Sequence, residues 1–171
     1  MRLFLATWIP EELAQELELL SFDVPGSRPI PASRFHITIR FLGDCSPLLK
    51  DEIETAMTQI VFTPFTIHIQ GIGQFAAGIR VVWARVESMD LLHLERKIRR
   101  QLEEAGIRTE RRRFRPHITL GRVPQPDEAR LKEYFTEHYN FNANFECKNF
   151  GLYSSRLNRD GPEYTEEALF P

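Results

Sequence analysis

The chain has 171 residues, of which 42% are hydrophobic and 27% charged, and its formal net charge is −2. This length and composition are typical of a folded domain with a sizeable apolar core, and they exclude a disordered, collagen-like or low-complexity chain. No apolar run approaches the roughly 20 residues that cross a bilayer. The opening segment MRLFLATWIPEEL is not expected to be a secretory signal, because its apolar run is too short. Two cysteines are too few for a disulfide scaffold, so we expect a cytoplasmic protein.

The hydrophobic pattern of the first half predicts strands alternating with helices. Pro10 and Ser46 each precede a run with apolar residues at helical spacing, which indicates two helix starts. In chain order the predicted elements are a strand at 2–9, a helix from Pro10, a loop at 25–33, a strand at 34–42, a helix from Ser46, and strands at 65–75 and 79–87 joined by an Ala-Ala-Gly turn.

The second half repeats this order. Ser88 is the expected cap of a helix that ends at Gly106, and Pro126 with Asp127 indicates the start of another. The remaining predicted elements are strands at 116–123, 144–154 and 163–170.

Three segment pairs indicate an internal duplication. They are FHITIRFLG at 35–43 with PHITLGRVP at 116–124, RLFLA at 2–6 with RVVWA at 80–84, and FTIHIQG at 65–71 with FECKNFG at 145–151. We therefore predict a single domain over residues 1–171, composed of two halves, roughly 1–78 and 79–171, that are related by a pseudo-twofold axis.

The same triplet, His-Ile-Thr, lies at the matching place of both halves. Its two copies start at His36 and His117, whereas chance predicts about 0.3 His-x-Thr triplets in a chain of this composition. Because side chains alternate along a strand, each histidine shares a face with the threonine two residues later. Two imidazoles facing one cleft can act as general acid and general base at phosphorus, while hydroxyls hold the phosphate oxygens.

A basic segment surrounds the second triplet. Residues 96–122 contain ten Lys or Arg and three Glu, which suits a partner that carries phosphate. Arg115 and Arg122 flank His117, and their positive charge is expected to disfavour its imidazolium form. The charge pattern therefore favours His117 as the neutral imidazole.

The two His-x-Thr motifs, about 80 residues apart in a duplicated chain, resemble the 2H phosphoesterase superfamily. Together with MRLFLATWIPEEL and RPHITLGR, they are similar to its RNA 2′,3′-cyclic phosphodiesterase branch, also called 2′-5′ RNA ligases. The resemblance implies an α+β fold with two lobes, antiparallel sheets, helices on the outside and a central cleft. It also implies hydrolysis of an RNA 2′,3′-cyclic phosphate to a 2′-phosphate.

The resemblance further implies a role for each site residue. His36 is the general acid and His117 the general base, Thr38 and Thr119 bind the phosphate, and Phe41 and Arg122 contact the substrate. Simple alternation puts Phe41 and Arg122 on the faces opposite their histidines, so we expect each strand to bulge, twist or end near the fourth residue after the histidine. The expected partner is an RNA 3′ end with a 2′,3′-cyclic phosphate. No cofactor, metal or membrane is expected, and the chain is expected to be monomeric.

Other functions remain open at this point. The same site residues could act on a small cyclic phosphate, derived from ADP-ribose or a nucleotide, or the fold could be a non-catalytic module that binds RNA ends. Two histidines without a third ligand make a poor zinc site. Any 2′-5′ RNA ligation is expected only as the reversal of the same chemistry.

Overall fold

The computed structural model describes residues 1–75, 80–109 and 112–171. Within these ranges the chain forms four α-helices, one short 3-10 helix and eight strands. In chain order they are β1 (Arg2–Trp8), α1 (Glu11–Phe22), the 3-10 helix Ala32–Arg34, β2 (His36–Asp44), α2 (Pro47–Met57), β3 (Phe65–Phe75), β4 (Arg80–Glu87), α3 (Met89–Glu104), β5 (His117–Val123), α4 (Glu128–His138), β6 (Asn142–Cys147), β7 (Phe150–Asn158) and β8 (Gly161–Phe170). The predicted Ala-Ala-Gly turn at 76–78 lies outside the described residues.

Three of the four α-helices begin at the residues that the sequence indicated. The hydroxyl oxygen of Ser88 accepts a hydrogen bond from the backbone N–H of Leu91 (3.2 Å), and that of Ser46 accepts one from Leu49 (3.2 Å). Asp127 caps α4 in the same way. Pro10 differs by one position, because it precedes α1 as its cap residue while the first helical residue is Glu11.

The strands form two antiparallel sheets of four. The first sheet has the order β2-β1-β7-β8 and the second the order β5-β4-β3-β6, so each sheet contains strands from both halves of the chain. In both sheets the strand that starts with a motif histidine is at the edge. These two edge strands, β2 and β5, contact each other and bring the sheets together.

The predicted strand at 144–154 is wrong as a single element. The chain leaves the second sheet after Cys147 and enters the first sheet at Phe150. Both residues are buried, at 1% and 0% exposure. Side chains three positions apart cannot share one face of a strand, so the change of sheet restores their burial.

The larger of two apolar clusters among the described residues lies between the sheets and the helices. It takes Leu5 and Ile37 from the first sheet, Ile69 and Ile118 from the second, and the apolar stripes of the helices. Because each strand buries one face there, its other face is left for polar and aromatic side chains. The α+β fold with two antiparallel sheets and helices is confirmed. None of the helices among the described residues is long and apolar enough to span a membrane.

Candidate active site

The two motifs start neighbouring edge strands with the same pattern of exposure. In β2, His36 and Thr38 are half-buried while Ile37 between them is fully buried, and β5 repeats this at His117, Ile118 and Thr119. The alternation predicted for both motifs is thus present. It directs both imidazoles and both hydroxyls away from the core.

A β-bulge interrupts each of these strands at the same position. In β2 the register skips Ile39, since Thr38 pairs with Ala6 and Arg40 pairs with Leu5. In β5 it skips Leu120 in the same way, three residues after His117. The expected irregularity near the fourth residue is confirmed in both strands, because an extra residue reverses the alternation that follows it.

The bulges turn Phe41 and Arg122 to the histidine face. Phe41 is 53% exposed, and its ring lies 6.3 Å from that of Phe4, which in turn lies 5.3 Å from the imidazole of His36. Arg122 is exposed, and its charge lowers the pKa of His117. All six residues predicted for the site therefore project from the solvent-side faces of β2 and β5.

Each imidazole is oriented by the same backbone contact. The Nδ1–H of His36 donates to the carbonyl oxygen of Arg34 (2.8 Å), and that of His117 donates to the carbonyl oxygen of Arg115 (2.7 Å). A carbonyl can only accept, so Nδ1 carries the proton in both rings. The other ring nitrogen, Nε2, is then a proton acceptor in the neutral form and a proton donor in the charged form.

Burial makes both histidines less basic than usual. Removal from water lowers the pKa of His36 to about 4, although the hydrogen bond to Arg34 raises it, and the charge of His117 lowers it further. Burial also lowers the pKa of His117, with smaller contributions in the same direction from Arg122 and Arg112. The effect of the arginines on the pKa of His117 could be predicted from the sequence, but the larger effect of burial on both rings could not.

Aromatic side chains enclose His36. Its imidazole stacks on Trp8 (ring centroids 4.8 Å apart, 17° between planes) and meets Tyr164 edge-on at 5.0 Å. Trp8 lies directly opposite His36 in the strand pair, while Tyr164 comes from β8. Neither residue was predicted for the site. The register of β1 against β2 could have indicated Trp8, but no local signal places Tyr164.

His117 has a different surrounding. Arg85 lies opposite it in β4, and the ring of Phe75 meets the imidazole at 90° and 5.1 Å. Trp8 and Arg85 therefore occupy equivalent positions in β1 and β4. This structural alignment of the two strands is shifted by one residue from the sequence alignment of RLFLA at 2–6 with RVVWA at 80–84. The two ends of the cleft are thus chemically distinct, with a more aromatic side at His36 and a more basic side at His117.

The remaining basic candidates divide into two kinds. Arg34 and Arg115 supply the carbonyl oxygens that hold the histidines, and the guanidinium of Arg34 donates to the backbone oxygen of Asp160 (3.0 Å). Arg112 and Arg113 are exposed on the segment before β5, and Arg111 lies outside the described residues.

His68 is exposed on β3 rather than half-buried. In the described ranges, no three His, Cys, Asp or Glu side chains converge as a metal-binding group.

Comparison with known proteins gives a consistent result. The model of the 2′-5′ RNA ligase superfamily matches residues 9–159. A Methanocaldococcus jannaschii protein named RNA 2′,3′-cyclic phosphodiesterase is 32% identical over 170 residues, which cover 96% of each chain.

Solved structures with similar folds span nearly the whole chain. That of TT0787 from Thermus thermophilus has a TM-score of 0.85 at 28% identity and covers 99% of this chain and 97% of its own. That of Escherichia coli LigT in apo form has a TM-score of 0.83 at 28% identity, covering 99% of this chain and 95% of its own. LigT has also been solved in complexes with 3′-AMP and with phosphate.

Proposed function

This chain belongs to the 2′-5′ RNA ligase superfamily, and we propose that it hydrolyses the 2′,3′-cyclic phosphate at the 3′ end of an RNA to a 2′-phosphomonoester. The observation that carries the proposal is the pair of Nδ1–H bonds, 2.8 Å at His36 and 2.7 Å at His117, which leave both Nε2 atoms for proton transfer. Two proton-transfer groups are what the opening of a cyclic phosphodiester by water requires.

In the proposed reaction His117 acts as the base and His36 as the acid. The Nε2 of His117 takes a proton from water as its oxygen forms a bond to phosphorus. The bond between phosphorus and the 3′ oxygen breaks, and the Nε2–H of His36 gives its proton to that oxygen. The two half-buried hydroxyls, Thr38 and Thr119, donate to the non-bridging oxygens, and Arg122 balances the charge that develops on them.

The charges near each histidine support His117 as the base. Bound phosphate is an anion, so it raises the pKa of both imidazoles above their values in the free protein. Arg122 and Arg112 oppose this at His117, whereas the charge that lowers the pKa of His36 is that of His117 itself. Burial and the charge of His117 lower the pKa of His36 to about 4 in the free protein, so the reaction needs the bound phosphate to protonate His36 while Arg122 and Arg112 keep His117 neutral.

Features outside the motifs favour RNA over a small molecule. The exposed Arg112 and Arg113 lie just before the strand of His117, where they can contact phosphates beyond the reacting one. Relatives named RNA 2′,3′-cyclic phosphodiesterase from Methanocaldococcus jannaschii and Archaeoglobus fulgidus match nearly the full chain. The proposed substrate class is therefore RNA with a cyclic phosphate end.

We propose further that the chain acts alone and without a metal. Residues 1–171 act as one domain and as a monomer, because the two edge strands of one chain supply both histidines and both threonines. The reaction needs no metal, since imidazoles provide both acid and base. The two cysteines are buried free thiols, which suits a cytoplasmic location.

Turnover of an RNA oligomer with a 2′,3′-cyclic phosphate end tests the proposal. His36→Ala and His117→Ala should each lower kcat about 10²- to 10⁴-fold, the usual contribution of a positioned acid or base. His68→Ala is the matched control, because His68 is an exposed strand histidine on β3, and it should retain wild-type turnover. Wild-type turnover in either motif variant would contradict the mechanism. Turnover of a 2′,3′-cyclic mononucleotide without turnover of the oligomer would move the function to a small cyclic phosphate.

A further inference from the structure

The bulge in β2 buries an arginine and exposes a phenylalanine. In an unbroken strand Arg40 would share the face of His36, and Phe41 would face the core. The bulge at Ile39 reverses this order: Arg40 is 8% exposed and Phe41 is 53% exposed. Hydrophobicity alone favours the unbroken register, because burial of a charge is unfavourable and burial of a phenyl ring is favourable.

A buried carboxylate offsets this preference. The guanidinium of Arg40 forms an ion pair with Glu95 of α3, which is 6% exposed. A further contact runs from Nη1 of Arg40 to the hydroxyl of Thr109 (3.4 Å), close before the segment that leads to His117. Because Glu95 lies on the core side, the guanidinium reaches it only when Arg40 turns inward. The ion pair and the exposure of Phe41 are therefore two results of one register.

We propose that Arg40 and Glu95 are positioning residues that select the bulged register and so present Phe41 in the cleft. Buried ion pairs seldom stabilise a fold more than apolar residues of the same size, and their best-attested use is to specify register. In β2 the alternative is the unbroken register, shifted by one residue. It would put the guanidinium of Arg40 beside the reacting phosphate and turn the ring of Phe41 away from the cleft. This inference rests on the proposed function for its effect on turnover.

The bulge in β5 has no ion pair at the position equivalent to Arg40, and close packing holds it instead. Gly121 takes the place of Arg40, and a Cβ there would lie 2.6 Å from the hydroxyl oxygen of Ser27. The same hydroxyl accepts a hydrogen bond from the backbone N–H of Arg122 (3.0 Å). Close packing of Gly121 fixes the register of β5, whereas the ion pair of Arg40 and Glu95 fixes the register of β2. Both devices turn the fifth residue after a histidine into the cleft.

Turnover in a double-mutant cycle tests whether Glu95 acts through Phe41. Glu95→Gln keeps the shape and removes the charge, and it should lower kcat/KM on the order of 10- to 100-fold, as expected for misplaced substrate contacts. In the Phe41→Ala background the same change should have less than about a twofold effect, since the ring it positions is already absent. Effects that multiply would overturn the proposal. Glu103→Gln, in an exposed pair on the same helix, is the control and should leave kcat/KM unchanged.

A volume-conserving variant separates positioning from stability. Arg40→Met with Glu95→Met should recover the thermal midpoint, because apolar side chains can replace a buried ion pair, but it should not recover kcat/KM. Recovery of both would overturn the proposal.

A structural measurement keeps the test independent of turnover. The rings of Phe4 and Phe41 are neighbours, so nuclear Overhauser effects between them should be present in the wild-type protein and lost in Glu95→Gln. Their persistence in the variant would overturn the proposal. A wild-type protein that keeps these effects but does not open the cyclic phosphate would instead refute the proposed function alone.

Discussion

A positive charge on His117 lowers the pKa of His36, so the two imidazoles oppose each other's protonation. Coupled groups of this kind titrate as a pair, and the singly protonated state is favoured over the doubly protonated one. That state contains one proton donor and one proton acceptor, as in-line hydrolysis requires. The geometry thus favours the singly protonated states of the pair, one of which is the reactive state, over the state with two charges.

The pH dependence of turnover should show this coupling. Burial lowers the pKa of both His36 and His117 from 6.5, and kcat/KM reports the free enzyme. We expect kcat/KM to pass through a maximum below pH 6.5 and to fall between pH 6.5 and 8. The optimum of kcat should lie at higher pH, because the bound phosphate raises both pKa values. Initial rates over the pH range, at low and at saturating substrate, measure both profiles, and a kcat/KM that rises from pH 6 to 8 would contradict the account.

The stability of the protein should also depend on His36. Its pKa is about 4 in the folded state and 6.5 when unfolded, so the unfolded state binds more protons between these values and stability falls as the pH falls. His36→Gln removes this contribution. Between pH 7.5 and 4.5 the wild type should lose roughly 2 to 3 kcal/mol more unfolding free energy than the variant. Urea denaturation at both pH values measures the difference.

The control for this stability change is His68→Gln, at an exposed histidine. It should lose as much stability as the wild type over the same pH interval. If the difference in unfolding free energy between wild type and His36→Gln is the same at pH 7.5 and at pH 4.5, that result would contradict the burial of a neutral imidazole.

The packing at Gly121 should limit substitution there. A Cβ would lie 2.6 Å from the Ser27 hydroxyl oxygen and 3.0 Å from a methyl group of Val24. Gly121→Ala should therefore lower the unfolding free energy by about 1 to 3 kcal/mol, the usual effect of overpacking. Urea denaturation should show partial recovery when Ser27→Ala is added, because the closest atom is then absent. Strictly additive losses in the double variant would contradict this contact.

The arginine segment should contribute to RNA binding through charge. Arg113 is exposed four residues before His117, so Arg113→Ala should weaken the dependence of log kcat/KM on log salt for an oligomer by about 0.7, the value for one phosphate contact on a single strand. The salt dependence for a cyclic mononucleotide should not change. Arg130→Ala, at an exposed residue of α4, is the control. Equal slopes in wild type and Arg113→Ala would contradict a phosphate contact.

Much of the site follows from periodicity within single strands. The alternation at His36 and Thr38 and the matching triplet at His117 could be predicted because a strand fixes which side chains share a face. The equal offsets of Phe41 and Arg122 even indicated an irregularity in both strands, which the bulges at Ile39 and Leu120 confirm.

The rest depends on contacts between distant segments. Arg40 is buried against Glu95, 55 residues away, and no local pattern marks a charged residue as interior. Tyr164 reaches His36 only because β8 joins the sheet of β1. The break between Cys147 and Phe150 did leave a local signal, since two buried residues at a spacing of three do not fit one strand.

The most direct test of the account is phosphorus NMR of an RNA oligomer with a 2′,3′-cyclic phosphate end, incubated with the purified protein in excess EDTA. The two-histidine mechanism predicts that the cyclic phosphate signal is replaced by that of a 2′-monophosphate. An unchanged signal in EDTA that is converted when a divalent metal is restored would contradict it.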